Sequence, residues 1–385
     1  MTALNRFVPP TTADSGSIRW RALLAAVAWI LLSSSARGNA AEPGLLATAE
    51  RAVAAAARTG APWDGPVAGP EARPGRHIVY IAEDLRNGGI LGVGRGIREA
   101  AAAIGWTLEV IDLQGSDAGR RKGFARAAAL HPDGVILGGL DARHNAQYLE
   151  TLDRQGIPLV GWHLAADPGP VAGTPVAFNV TTDYREVARI AAYFAVADSR
   201  GRAGVVIFTD SNFAIATAKA NAMAAVIGAC DGCRLLAMED IPISGAEARV
   251  PERTRALQRQ FGAAWQYSLA INDIYFDFSL PWGAGDDEGD EAINVSAGDG
   301  SESAFQRIRL GGLQGATVPE PLNLQGWQLV DELNRLLSGA PPSGYNAPVH
   351  LVTAANVNAD GGERGHYDPD NGYRRIYRRI WGVDR

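Results

Sequence analysis

From Gly75 onward, short apolar runs alternate with Ala-rich amphipathic stretches, and this alternation constrains the chain more than any other feature. The pattern predicts strands at 77–82, 107–112, 134–137 and 158–162, with helices at 94–104, 118–130 and 145–155 between them. It then restarts, with helices at 184–197, 214–227, 251–261 and 326–337 and strands at 204–208, 234–238, 268–271, 292–296 and 316–318. Strands that are apolar along their whole length, such as Ile78-Val79-Tyr80-Ile81 and Val205-Val206-Ile207-Phe208, belong in parallel sheets covered on both faces by helices. The expected fold is therefore α/β, with two consecutive doubly wound parallel-sheet lobes. Ligands of such sheets sit at the carboxyl ends of the strands, and two facing units turn that geometry into an interlobe cleft.

The start of the chain has a different character. Arg19 and Arg21 precede the apolar run 22–32, which is followed by small residues and Gly38-Asn39-Ala40. A positive segment, a short apolar run and a small-residue cleavage site predict a secretory signal over 1–40. The run is shorter than the roughly twenty residues needed to span a bilayer, which disfavours an uncleaved anchor. A helix at 45–58 and a Pro/Gly-rich lead-in to residue 75 follow, with Trp63 placed to pin the lead-in to the body. A soluble, monomeric mature protein is expected. The net charge of −6 argues against a nucleic-acid partner.

Cys230 and Cys233 form Cys-Asp-Gly-Cys. Behind a secretory signal the pair predicts a disulfide closing a small loop; a zinc site would need two further ligands, and none has matching spacing. The acidic run at 286–291 lacks the spacing of a calcium loop and reads as a solvated segment. Gly92-Val93-Gly94-Arg95-Gly96 falls short of the dinucleotide fingerprint and lies in a predicted helix. There is no phosphate-binding Gly-rich loop with Lys-Ser/Thr and no His-Glu-x-x-His, and no nucleophile–base pair stands out. No enzyme activity, cofactor or metal is expected.

What recurs is polar residues directly after strands: Asp84 and Asn87, Trp162-His163, Asp210 with Phe213, Asn272, and Asp299. Any one of them suits a helix N-cap. Five such loops at the same end of two sheets suit a polar pocket better.

The ordered series of segments resembles the type I periplasmic binding proteins for sugars of the ribose and galactose kind. Ile81-Ala82-Glu83-Asp84-Leu85-Arg86-Asn87 is similar to the family's first strand and loop. Pro132-Asp133-Gly134-Val135-Ile136-Leu137 with Gly156-Ile157-Pro158-Leu159-Val160 is similar to its Asp-Gly-Ile-Ile and Gly-Ile-Pro-Val-Val signature. Asn179 to Tyr184 and Gly315 to Pro321 look like its crossovers, and Ala270-Ile271-Asn272-Asp273 and Ala297-Gly298-Asp299-Gly300 like two of its binding loops. The resemblance implies two lobes joined by a three-crossing hinge near Asn179, Pro319 and Thr353. The first lobe would comprise 76–179 plus 320–351 and the second 180–319 plus 352–385.

It further implies ligand contacts from Asn87, Asn272 and Asp299, with Glu320 where the family has Gln. His163-Leu164 stands in place of Asp-Arg, Gly89 and Ile90 in place of paired aromatics, and no Arg occurs near Thr217. Trp162, Phe213 and Trp282 are candidate replacement stacking surfaces. The implied role is a periplasmic solute-binding protein that shuts two lobes on a small polar ligand, a sugar or polyol, and delivers it to an ABC permease. The alternative is a periplasmic sensor docking a receptor or histidine kinase. A repressor core of the same fold is disfavoured, because a signal segment stands where a DNA-binding helix pair would be. The C-terminal run Tyr373 to Trp381 places its apolar members on one helical face, which predicts packing on the body rather than membrane binding.

Overall fold

The computed structural model describes residues 44–279, 291–361 and 364–383; the signal segment, Trp282 and most of the acidic run lie outside them. Helix α1 (Leu45–Ala56) comes first. The first sheet then follows as β1 (His77–Ala82), α2 (Gly88–Ala103), β2 (Thr107–Asp112), α3 (Asp117–Leu130), β3 (Gly134–Gly138), α4 (Ala146–Asp153), β4 (Leu159–Trp162) and β5 (Val176–Val180). Its five strands are parallel in the order β2-β1-β3-β4-β5. β1 and β3 are buried along almost their whole length, as continuous apolar runs require.

β5 corrects the sequence reading, which closed this set at β4 and took Asn179 for a crossover. The strand pairs with β4, and the buried Asn179 organises the loop before it. Its Oδ1 accepts from Leu164 N, and its Nδ2 donates to the carbonyls of Ala165 and Asp167.

The second sheet is built from α5 (Tyr184–Asp198), β6 (Gly204–Thr209), α6 (Ala214–Gly228), β7 (Arg234–Asp240), α7 (Ala246–Phe261), β8 (Tyr267–Ala270), α8 (Ile274–Phe278), β9 (Ile293–Ser296), α9 (Glu302–Arg309) and β10 (Gln314–Thr317). Helix α10 (Leu322–Leu337) returns to the first sheet. β11 (Val352–Thr353) adds an antiparallel edge beside β10, and α11 (Tyr373–Ile380) ends the described chain. The order is β11-β10-β9-β8-β6-β7. Helices α8 and α9 are absent from the sequence reading; α8, five residues long, is too short to show a helical period. Cys230 and Cys233 are bonded in the turn from α6 to β7, with Cα atoms 5.2 Å apart.

Helix α2 begins six residues earlier than its apolar period predicts, inside a glycine-rich stretch that disfavours helix. Asn87 supplies the start, its Oδ1 accepting from Gly89 N and Ile90 N. The glycines serve the packing of α2 on α10. A Cβ on Gly96 would fall 2.4 Å from the Asn323 carbonyl oxygen, and one on Gly326 would fall 2.5 Å from the Ile97 nitrogen. The Gly92-Val93-Gly94-Arg95-Gly96 run is thus a close helix crossing.

Five passes of the described chain link the lobes. Three lie near the expected hinge positions, at 180–183, at 318–321, and between Ala347 of the first core and Leu351 of the second. The other two come from the ends. Helix α1 packs on the second lobe through Ala49, and Leu351 N donates to Ala56 O at 2.9 Å. The lead-in then carries the chain to the first lobe, where Trp63 lies among Tyr345, Tyr373 and Tyr377 at centroid distances of 5.0, 6.5 and 5.5 Å.

At the other end, the expected assignment of all of 352–385 to the second lobe needs correction. Val352, Val357 and Tyr367 do pack with Phe305 and Ile308 of α9. Tyr373, Tyr377, Ile380 and Trp381 instead belong to the first lobe's core, and Trp381 stacks on Trp327 at 5.3 Å.

Candidate functional site

The polar residues after the strands gather where the two lobes face each other, around two cavities. The outer one, about 610 Å³, is lined from the first lobe by Glu83, Asp84, Asn87 and Asp141 and from the second by Asp210, Phe213, Glu247 and Asp277, among others. The inner one, about 50 Å³, is lined by Asn87, Trp162, His163, Phe213, Lys219, Asn272 and Asp299, among others. Asn87, Ile90, Phe213 and Ile243 line both, so the inner cavity opens from the floor of the outer one.

Of the residues singled out in the sequence, Asp84 and Asp210 face the outer cavity only. Asp84 is tied to Arg86, whose Nε lies 2.9 Å from its Oδ1. Burial alone would raise its carboxyl, but the hydrogen bonds and charge of Arg86 bring it below the usual range. Asp210 accepts from Asn212 N at 2.9 Å and Ile243 N at 2.8 Å, and so joins the loops after β6 and β7.

Asn87, Phe213, Trp162, His163, Asn272 and Asp299 converge on the inner cavity. The indole of Trp162 lies flat on the imidazole of His163, centroids 3.6 Å apart, and its Nε1 donates to Gln325 Oε1 at 2.8 Å. Asn272 Nδ2 donates to Asp299 Oδ2 at 2.7 Å. Burial drives the Asp299 carboxyl upward, opposed by the charges of Lys219 and His163. The space at Gly89 is spoken for: a Cβ there would lie 2.4 Å from Asp299 Oδ2 and 2.8 Å from the Trp162 ring. No larger side chain fits at that position.

Glu320 lines neither cavity; it lies beneath the inner one, fully enclosed. Its Oε2 accepts from Thr182 Oγ1, Thr182 N and Gln325 Nε2. Its Oε1 lies 3.3 Å from His163 Nε2 and 3.9 Å from Lys219 Nζ, with neither aligned for a hydrogen bond. Burial would raise this carboxyl, but His163, Lys219 and Thr182 hold it down to about 2.

Lys219 is the residue that the sequence reading missed. The resemblance implies an Arg near Thr217; a cation lies two residues further along α6, as a Lys that is 3% exposed. Its signal was a single basic side chain in an otherwise uncharged helix, AIATAKANAMAAVIG.

A periplasmic binding protein domain model matches residues 78–341. The chain belongs to the periplasmic binding protein family. Its members are solute-binding proteins rather than enzymes, and they are periplasmic. Among solved structures, a galactofuranose binding protein is 15% identical, with a TM-score of 0.63 over 76% of this chain and all of that one. The Caulobacter myo-inositol binding protein, solved with myo-inositol, is 19% identical, with a TM-score of 0.64 over 76% and 98%. An Agrobacterium vitis ABC transporter solute binding protein with bound allitol is 18% identical, with a TM-score of 0.63 over 74% and 97%. At these identities the likeness establishes the two-lobed α/β fold of the type I binding proteins. No curated protein matches the chain in sequence.

Proposed function

We propose that the protein is a periplasmic solute-binding protein of an ABC-type uptake system, which shuts its lobes on a small polyhydroxylated ligand and presents it to a membrane permease. The observation that carries this reading is the convergence on one cleft of residues from both lobes, the strand-end Asn87 and His163 from one side and Asn272 and Asp299, with Lys219 of α6, from the other. A ligand touching both sets binds the shut form more tightly than the open one, and that differential affinity is what drives closure. The solved relatives described as binding galactofuranose, myo-inositol and allitol make sugars and polyols the first class to try. Residues 1–40, with their basic and apolar runs, supply export.

The test is a thermal-shift screen of the exported protein against sugars, polyols and sugar acids, followed by X-ray scattering with each hit. A raised melting temperature with a smaller radius of gyration, both lost in Asn87→Ala and Asp299→Ala, is the expected result. The bound compound should be recovered unchanged. Binding without compaction, or full affinity in both variants, overturns the reading.

A further inference from the structure

The inner cavity has an imbalance in its hydrogen-bonding groups. Its acceptors are partly committed within the protein. Asn87 Oδ1 takes the two amides that start α2, Asn272 Oδ1 takes Ile274 N at 3.0 Å, and Asp299 Oδ2 takes Asn272 Nδ2. Asp299 Oδ1 is left fully open, and Asp299 Oδ2 and Asn272 Oδ1 each keep one acceptor site. The donors are left open. Lys219 Nζ makes no hydrogen bond, although its charge acts on two carboxylates, Glu320 at 3.9 Å and Asp299 of the same cavity, and Asn87 Nδ2 makes none. Asn272 Nδ2 has a second N–H to give. His163 Nε2 faces Glu320 Oε1 at 3.3 Å beneath the cavity and so is not one of the open donors. An enclosed ammonium with unmet N–H groups is costly to keep, and an oxygen acceptor relieves that cost.

We propose that the inner cavity receives the carboxylate of a sugar acid, with Lys219 as the residue that selects it; this rests on the solute-binding reading above. A neutral polyol offers as many donors as acceptors, and its donors would find mainly the Asp299 carboxylate here. A carboxylate offers acceptors only, and matches Lys219, Asn87 and Asn272. The dimensions agree. About 50 Å³ holds a group the size of a few waters, well short of the ~300 Å³ at which pockets take whole ligands. The polyhydroxyl remainder lies in the outer cavity, where Asp141 and Glu247 line the wall and offer acceptors to hydroxyls.

The decisive experiment is calorimetric titration of the full chain, expressed with its own leader, with matched pairs: D-galacturonate against D-galactose, and D-gluconate against D-sorbitol. In at least one pair the acid should bind tenfold or more tighter than its neutral partner, as charge-assisted bonding predicts. Lys219→Met should erase that preference, and Lys219→Arg should keep part of it. If the neutral partner binds equally well or better, the carboxylate assignment falls and the solute-binding reading stands. If Lys219→Met keeps the preference, Lys219 is not the selecting residue. If no sugar, polyol or sugar acid binds, the solute-binding reading for this ligand class falls and takes the inference with it. Should Lys219→Met fail to fold, the matched pairs on the unaltered chain still decide the ligand class, and Lys219→Arg decides the residue by losing part of the preference or leaving it whole.

Discussion

Lys219 and His163 come from opposite lobes and converge on a single oxygen, Glu320 Oε1, at 3.9 Å and 3.3 Å. Glu320 itself sits on the crossing between the lobes, so one enclosed carboxylate faces a basic group from each. Removing one member of such a group leaves the others buried without compensation.

Glu320→Gln should therefore cost about 3 kcal/mol of stability at pH 7. A carboxyl held down to about 2 contributes stability that is fully present above its ordinary value of 4.5 and is lost as pH falls toward about 2. The gap between the urea midpoints of the wild type and Glu320→Gln should narrow from pH 7 to pH 3. A gap of constant size would show that the charge of Glu320 is not what stabilises the site.

Glu332 should behave in the opposite sense. Burial raises its carboxyl to about 7, against the hydrogen bonds from Ser343 Oγ and Ser343 N, with Asp331 raising it further and Arg335 lowering it. Between about pH 4.5 and 7 the folded chain keeps this proton and the unfolded chain does not, so stability from this group falls as pH rises. Glu332→Gln should flatten that decline. Melting curves at pH 5 and pH 7.5 measure it, and an unchanged slope would contradict the assignment.

The crossing of α2 and α10 leaves no room for a methyl group at Gly326, where the nearest atoms are backbone. Gly326→Ala should destabilise by about 3 kcal/mol in urea titration, because two helices must part rather than one side chain turn. Gly228→Ala, with nothing within 4 Å of its Cβ position, is the control and should be neutral or mildly stabilising.

Trp381 tests the placement of the C-terminal helix. Its ring stacks on Trp327, its Nε1 donates to Asp331 Oδ1 at 2.8 Å, and its carbonyl accepts from Ala72 N of the lead-in. Trp381→Ala should cost about 4 kcal/mol. Hydrogen exchange should speed up in α10 and in residues 63–73 of the first lobe, while β6 and β8 of the second stay protected. Loosening confined to the second lobe would contradict the packing described here.

Much of this architecture was legible in the sequence because its signals are local. A strand such as β1 or β2 is written in six consecutive side chains, and Asn87, Asn272 and Asp299 stand out in the sequence because they lie in the loops after such strands. What local pattern does not carry is which distant surfaces meet. β5 is not legible because Val176–Val180 follows a Gly-Thr-Pro turn and carries the polar Asn179, so it lacks the continuous apolar run of β3 or β4. Lys219 was missed because its burial depends on Glu320 and His163, which come from a crossing and from the other lobe. The glycines of α2 carried no meaning until α10 lay against them, and the terminal helices could be assigned to opposite lobes only by their partners, α5 for α1 and Trp327 for α11. The sequence by itself determined the two sheets and the end of each at which polar residues gather, through periodicity and strand-end polarity. Only the tertiary structure decided the charge arrangement at the base of the cleft and the five-pass connection between the lobes. Both depend on contacts between residues far apart in the chain, which no short window of sequence contains.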